Sequence, residues 1–197
     1  MLRELSLHLL DIAENSISAG ASRIEIVLSE DSALDLLQMS IIDNGKGMSK
    51  EMIAQVTDPF ITSRTTRKVG LGIPLLKAAA EDCNGSLNIT SEPGIGTELT
   101  VKFQRSHIDR MPIGDLVSTI INLIICNPLI HWIFSYHYNE KNAIFDDEPV
   151  KQALGDFPLT EPEILTCIRS MVEETIQEVN PHFSQDIVTI YNQPLRR

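Results

Sequence analysis

The chain has 197 residues, 43% of them hydrophobic, and its 27 acidic side chains outnumber 16 basic ones to give a formal net charge of -11. That length holds one domain or two around a real core, and the acidity argues against nucleic acid or a membrane surface as a partner for the bulk of the chain. Cys83, Cys126 and Cys167 form no Cys-x-x-Cys pair, which points to a reducing, cytoplasmic setting and away from zinc.

Met1-Leu2-Arg3-Glu4 places an acid beside its base and flows into a helical pattern, so it does not read as a signal peptide. Leu5, Leu9, Ile12, Ala13 and Ile17 then recur at helical spacing up to Gly20, predicting an amphipathic first helix. Asp11 and Asn15 lie four apart and therefore stack on one face of it, next to His8. Two strands follow, Arg23 to Ser29 and Leu36 to Ile42, joined by a hairpin through Glu30-Asp31-Ser32. Ser49 caps a short helix carrying Met52, Ile53 and Val56, which Pro59 ends. Pro74 suits the first turn of the next helix, whose buried face is Leu75, Leu76, Ala79 and Ala80 and whose stop is Asn84-Gly85. Strands from Ser86 to Ser91 and from Glu98 to Phe103 flank Pro93-Gly94-Ile95-Gly96.

Past Ser106 the pattern predicts a helix over Ile113–Cys126, a hairpin of Ile130–Tyr138 with Ala143–Phe145, and a long helix over Glu161–Val179. Leu116 to Phe134 contains no formally charged residue, yet Asn122, Asn127 and His131 interrupt it and Asn127-Pro128 ends a helix midway. It reads as a helix followed by a strand, not as a membrane span. Trp132, Phe134, Tyr136 and Tyr138 alternate along one strand face, a pattern of core or of a partner or self-association surface. Periodicity leaves open whether this half is a separate α+β domain or an extension of the first sheet. The organisation expected is a first domain over 1–105, a smaller α+β region over 106–182 and a loosely ordered tail over 183–197.

Four short islands carry chemistry. Asp43 stands where a strand runs into Asn44-Gly45-Lys46-Gly47-Met48; its carboxylate only accepts hydrogen bonds and so suits the exocyclic amine of adenine. Gly45 and Gly47 allow a tight turn and the close approach of backbone to a flat ring. Gly70-Leu71-Gly72 opens a helix, where free N–H groups and the positive dipole end suit a phosphate chain. The preceding Thr62, Ser63 and Arg64 belong to a hydroxyl-rich, basic run inside an acidic chain. Asn15 offers a neutral oxygen to Mg²⁺, while Asp11 can orient or deprotonate a water or a hydroxyl of another protein. Glu14 points about a quarter-turn away from Asn15 and ranks below Asp11 as the base. Gly94-Ile95-Gly96-Thr97 supplies a turn and then a hydroxyl for an adenine nitrogen or an ordered water beside Asp43. In this order the islands describe a pocket for ATP.

These motifs resemble the GHKL superfamily of type II topoisomerase ATPase domains, the heat-shock chaperone of that group, sensor histidine kinases and MutL proteins. Leu9-Leu10-Asp11-Ile12-Ala13-Glu14-Asn15-Ser16 resembles its N box, Asp43-Asn44-Gly45-Lys46-Gly47-Met48 its first glycine box, and Asp58-Pro59-Phe60-Ile61-Thr62-Ser63-Arg64 the segment before its lid. The resemblance covers about residues 3–105 and implies an α/β fold of the Bergerat type, a sandwich of a mixed sheet with helices on one face. It also implies Mg²⁺ and ATP as ligands, Asn15 as the metal ligand and Asp11 in the place of the catalytic acid, where the hydrolases of the group usually carry Glu. ATP hydrolysis, phosphoryl transfer to a Ser, Thr or His of a separate protein, and nucleotide-gated interaction are the activities it leaves open. No dimerising hairpin with a phosphoacceptor His precedes the N box here, which disfavours self-phosphorylation.

Overall fold

The computed structural model describes residues 4–57, 72–155 and 157–183. Asp58, Pro59, Thr62, Ser63, Arg64, Gly70, Leu71 and nearly all of the expected tail lie outside that set.

Helix α1 covers Leu5–Ser18 and ends before Gly20, whose φ of 78° a side chain would resist. Strands β1 (Arg23–Asp31) and β2 (Leu36–Asp43) form an antiparallel pair, each longer by a residue or two than alternation predicts. Helix α2 spans Lys50–Thr57, with the Ser49 hydroxyl accepting from the amide of Met52. Helix α3 (Gly72–Asp82), β3 (Ser86–Glu92) and β4 (Gly96–Gln104) complete the first half.

In the second half, α4 runs over Leu116–Cys126 and not from Ile113. The reason is a cap: Asp115 accepts from the amide of Ser118, while Ile113 uses its carbonyl on the amide of Ser6. Strands β5 (His131–Tyr138) and β6 (Lys141–Asp146) form the expected hairpin, and α6 covers Pro162–Val179. Helix α5 (Glu148–Leu154) is too short for periodicity to announce it: it buries no residue, and Val150 packs only partly against the core. No helix among the described residues is long and apolar enough to cross a membrane.

All six strands join one sheet in the order β3-β4-β2-β1-β5-β6, antiparallel except where β5 lies parallel beside β1. The strands after residue 105 therefore extend the first sheet. Cross-strand register aligns one apolar face: Ile26 opposes Ile41 and Phe134, and Leu28 opposes Met39 and Tyr136. The helices cover that face and bury it in a single core with Leu5, Leu9, Ile12, Leu76, Ile120, Ile124, Ile168 and Val172. The opposite face carries Glu25, Gln38, Thr100 and Lys102, as an antiparallel sheet solvated on one side requires. The result is the mixed-sheet α/β sandwich with helices on one face that the motifs led one to expect.

The aromatic stripe of β5 is core. Trp132, Phe134 and Tyr136 are at most 2% exposed, and the Phe183 ring meets Tyr136 edge-on at 5.5 Å. Their register with Ile24, Ile26 and Leu28 turns them under the helices, so they present no docking surface.

Candidate functional site

The ends of β2, β4 and β3 meet at one edge of the helix-covered face, where Asp43 opposes Thr97 and Thr97 opposes Ser91. The three polar side chains thus form one row where the apolar rows of the sheet stop. Ser91 and Thr97 share a hydrogen bond of 2.9 Å, and the Ser91 hydroxyl also lies 2.8 Å from the Gly96 carbonyl and from the amide of Met48. Asp43 accepts from the Gly45 amide through Oδ1 at 2.9 Å and from the Ser16 hydroxyl through Oδ2 at 2.6 Å. A carboxylate has roughly four acceptor positions, so each oxygen keeps capacity for a further donor.

The loop from Asn44 to Met48 is lashed on both sides. Asn44 accepts through Oδ1 from the amides of Ser22 and Arg23, the Lys46 amide donates to the Ala19 carbonyl, and the Gly94 amide donates to the Lys46 carbonyl. Gly47 has a φ of 65°, and a Cβ there would fall 2.0 Å from the Glu92 carbonyl oxygen; a Cβ on Gly96, at a φ of 141°, would fall 1.9 Å from that of Asp43. Both glycines are demanded by backbone meeting backbone. The consequence is a rigid rim around the Asp43 carboxylate.

Asp11 and Asn15 lie four apart on α1, the helix whose Ser16 reaches Asp43. Asn15 is exposed and Asp11 half-buried, and neither side chain makes a hydrogen bond or ion pair among the described residues. Gly72 begins α3 against Asp11: a Cβ there would meet Oδ2 at 2.9 Å. A carboxylate and the first residue of a helix are therefore brought together, with Asn15 one turn further along α1. Glu14 is exposed. His8, one turn before Asp11, is 1% exposed; burial holds its imidazole below the usual value, with the Asp11 charge opposing that shift.

Of the residues singled out by sequence, Asp43, Gly45, Gly47, Met48 and Thr97 gather at the rim, while Asp11 meets Gly72 and Asn15 follows Asp11 by one turn of α1. Thr62, Ser63, Arg64, Gly70 and Leu71 lie outside the described residues. The geometry adds Ser16 and Ser91, which sequence reasoning missed. Both had a signal: each places a hydroxyl where an inward-facing apolar series continues, the buried Leu5-Leu9-Ile12 on α1 and the half-buried Leu87-Ile89 on β3. A hydroxyl in such a place implies a polar partner opposite.

This arrangement fits an adenine nucleotide: a fixed acceptor on a glycine-backed rim, then uncommitted oxygens beside a helix N-terminus, where a cation and phosphates would gather. A family model described as histidine kinase-, DNA gyrase B-, and HSP90-like ATPase matches residues 1–107. The chain is 31% identical over 119 residues to the non-motile and phage-resistance protein of Caulobacter vibrioides, covering 56% of this chain and 14% of that protein. It is 30% identical over 93 residues to sporulation kinase D of Bacillus subtilis, covering 47% of this chain and 18% of the other. The matches thus span less than a fifth of either relative's length. Among solved structures, the Aquifex aeolicus MutL ATPase domain complexed with ADP aligns with a TM-score of 0.49 at 13% identity, over 78% of this chain and 70% of that one.

Proposed function

Because the chain belongs to the histidine kinase-, DNA gyrase B- and HSP90-like ATPase family, we propose that it is a cytoplasmic enzyme that binds ATP with Mg²⁺ and hydrolyses it or transfers its terminal phosphoryl group. The observation that carries this reading is the Asp43 carboxylate, held at the end of β2 by Ser16 and Gly45 with acceptor capacity to spare.

In this reading Asp43 accepts from the adenine amine, and Thr97 donates to a ring nitrogen or to a water beside it. Gly45, Gly47 and Met48 form the wall of the adenine pocket. Thr62, Ser63, Arg64 and the Gly70-Leu71-Gly72 entry to α3 receive the phosphates. Asn15 holds Mg²⁺, which when bound neutralises charge on the phosphate oxygens. Asp11 takes the proton of the attacking water or hydroxyl. Residues 1–105 do this work, and 106–182 act as a region through which a protein partner or a second copy controls it.

Transfer to a separate protein is the form of the reaction that the name of sporulation kinase D favours, and it needs the same base and the same ion. The test is calorimetric titration with ATP, with and without Mg²⁺, on the wild type and on Asp43→Ala. Binding that tightens with Mg²⁺ and weakens at least about tenfold in the variant, a loss of about 1.4 kcal/mol, is expected. A wild type that takes up no ATP would sink the proposal.

A further inference from the structure

His8 is the anomaly of α1. It is 1% exposed, and neither ring nitrogen has a hydrogen-bond partner among the described residues. A neutral imidazole carries one donor and one acceptor, and leaving both unpaired in a core opposes folding. Leu5, Leu9 and Ile12 beside it on the helix are buried aliphatics, so an apolar side chain there would avoid that cost.

What distinguishes the position is its place on the helix. His8, Asp11 and Asn15 follow one another at spacings of three and four and share a single flank. Asp11 is near enough for its charge to act on the His8 ring, and its carboxylate is without a hydrogen bond among the described residues. An unused donor and an unused acceptor thus lie one turn apart on α1, the acceptor beside the first residue of α3.

We infer that His8 is a positioning residue for Asp11: with nucleotide bound, its ring N–H donates to one carboxylate oxygen and leaves the other facing the attacking water or hydroxyl. The inference rests on the reading of Asp11 as the base. Aspartate reaches one methylene less far than glutamate, so its orientation has to be held by a neighbour, and small displacements of a catalytic group are costly. Burial keeps water from competing for the donor and strengthens the bond. It also keeps the ring uncharged, so the bond adds no cation beside the base. No proton leaves His8; it orients, and Asp11 accepts.

The experiment uses the full chain with ¹⁵N-labelled histidine rings, titrated with Mg²⁺ and AMPPNP. Saturation is expected to settle the His8 ring into one neutral tautomer with a slowly exchanging N–H, and Asp11→Ala is expected to abolish that signature. The amides of Asp43 and Gly45 report nucleotide binding separately. Saturating shifts there with an unchanged His8 ring overturn the inference and leave the nucleotide site standing, whereas no shift at either place removes both. In ATP turnover, His8→Phe is expected to lower kcat about tenfold with KM within about twofold, and His8→Asn, which restores a donor, to recover most of the loss. Equal loss of kcat in both variants, accompanied by a lowered thermal midpoint, shows a packing role only and overturns the inference.

Discussion

The hydroxyl of Ser16 lies 2.6 Å from Oδ2 of Asp43, joining the helix that carries Asp11 and Asn15 to the strand end that opens the glycine loop. Ser16 is 4% exposed, so this bond to a charged group is made out of water. Ser16→Ala removes the donor and leaves the carboxylate freer to turn away from the pocket. Folding stability is expected to fall by about 1–3 kcal/mol. ATP affinity is expected to weaken by about three- to tenfold by calorimetry, and unchanged affinity would separate this bond from nucleotide recognition.

Glycines of the rim differ in a way that substitution should expose. Gly47→Ala and Gly96→Ala each drive a Cβ to within 2.0 Å of a carbonyl oxygen and add a side chain at positive φ. Each is expected to cost more than about 3 kcal/mol and to abolish nucleotide binding. Gly94 also has positive φ, at 80°, but among the described residues nothing lies within 4 Å of its Cβ position. Gly94→Ala is therefore expected to lose only about 1 kcal/mol of backbone preference. Denaturant midpoints of the three variants measure the contrast directly.

Asp11→Asn keeps the shape of the side chain and removes its capacity to take a proton. Turnover is expected to fall about a hundredfold or more, while ATP affinity stays within about threefold of wild type. Glu14, exposed and about a quarter-turn from Asn15, is expected to tolerate Glu14→Gln with turnover within about twofold. Phosphate release by the two variants decides between the acids; a larger loss from Glu14→Gln would transfer the role of base to it.

Much of this site is legible in the chain because its parts are local. Asp43-Asn44-Gly45-Lys46-Gly47 announces a turn and an acceptor within five residues, and alternation on β4 already turns Thr97 to the same face as Leu99, Val101 and Phe103. What remained hidden depends on partners distant in sequence. Gly47 meets Glu92, Ser16 meets Asp43, and the amides of Leu5 and Ser6 are capped by the carbonyls of Pro112 and Ile113. The placement of β5 was hidden for the same reason: a parallel neighbour more than a hundred residues away from β1 leaves no trace in periodicity. Its aromatic stripe read equally well as surface or as core until the register with Ile24, Ile26 and Leu28 was visible.

The buried His8 makes stability depend on pH with a definite sign. Its folded-state pKa lies below the ordinary value of 6.5 because of burial, so below that pH the unfolded chain binds a proton that the folded one refuses. Stability from this group is therefore complete above pH 6.5 and declines as pH falls from 6.5 towards the folded-state value. Urea midpoints are expected to be level from about pH 8 to 7 and to drop on acidification to about pH 5.5. His8→Phe should flatten that descent, and an equal slope in the variant would assign the titration to another group.

A second polar network ties the later strands to the earlier ones at the far end of β1. Glu30, 7% exposed, accepts from the Tyr136 hydroxyl at 2.8 Å and from Nε of Arg105 at 2.9 Å, while Asn180 donates to the Tyr136 oxygen at 3.2 Å. Burial, and next the Glu30 charge, push the Tyr136 phenol far above its usual range, so it remains a donor at any working pH. Tyr136→Phe keeps the ring against Phe183 but deprives a buried carboxylate of one donor and Asn180 of its acceptor. A loss of about 1–3 kcal/mol is expected. The network joins strand β1, the residue after β4, strand β5 and the end of α6, far from Asp43, whose partner on β1 is Ile24 at the opposite end of that strand. ATP affinity in Tyr136→Phe should therefore stay within about twofold at temperatures where the protein is folded. If affinity falls with stability, the two ends of the sheet are coupled, and the region after residue 105 acts on the nucleotide site through β1.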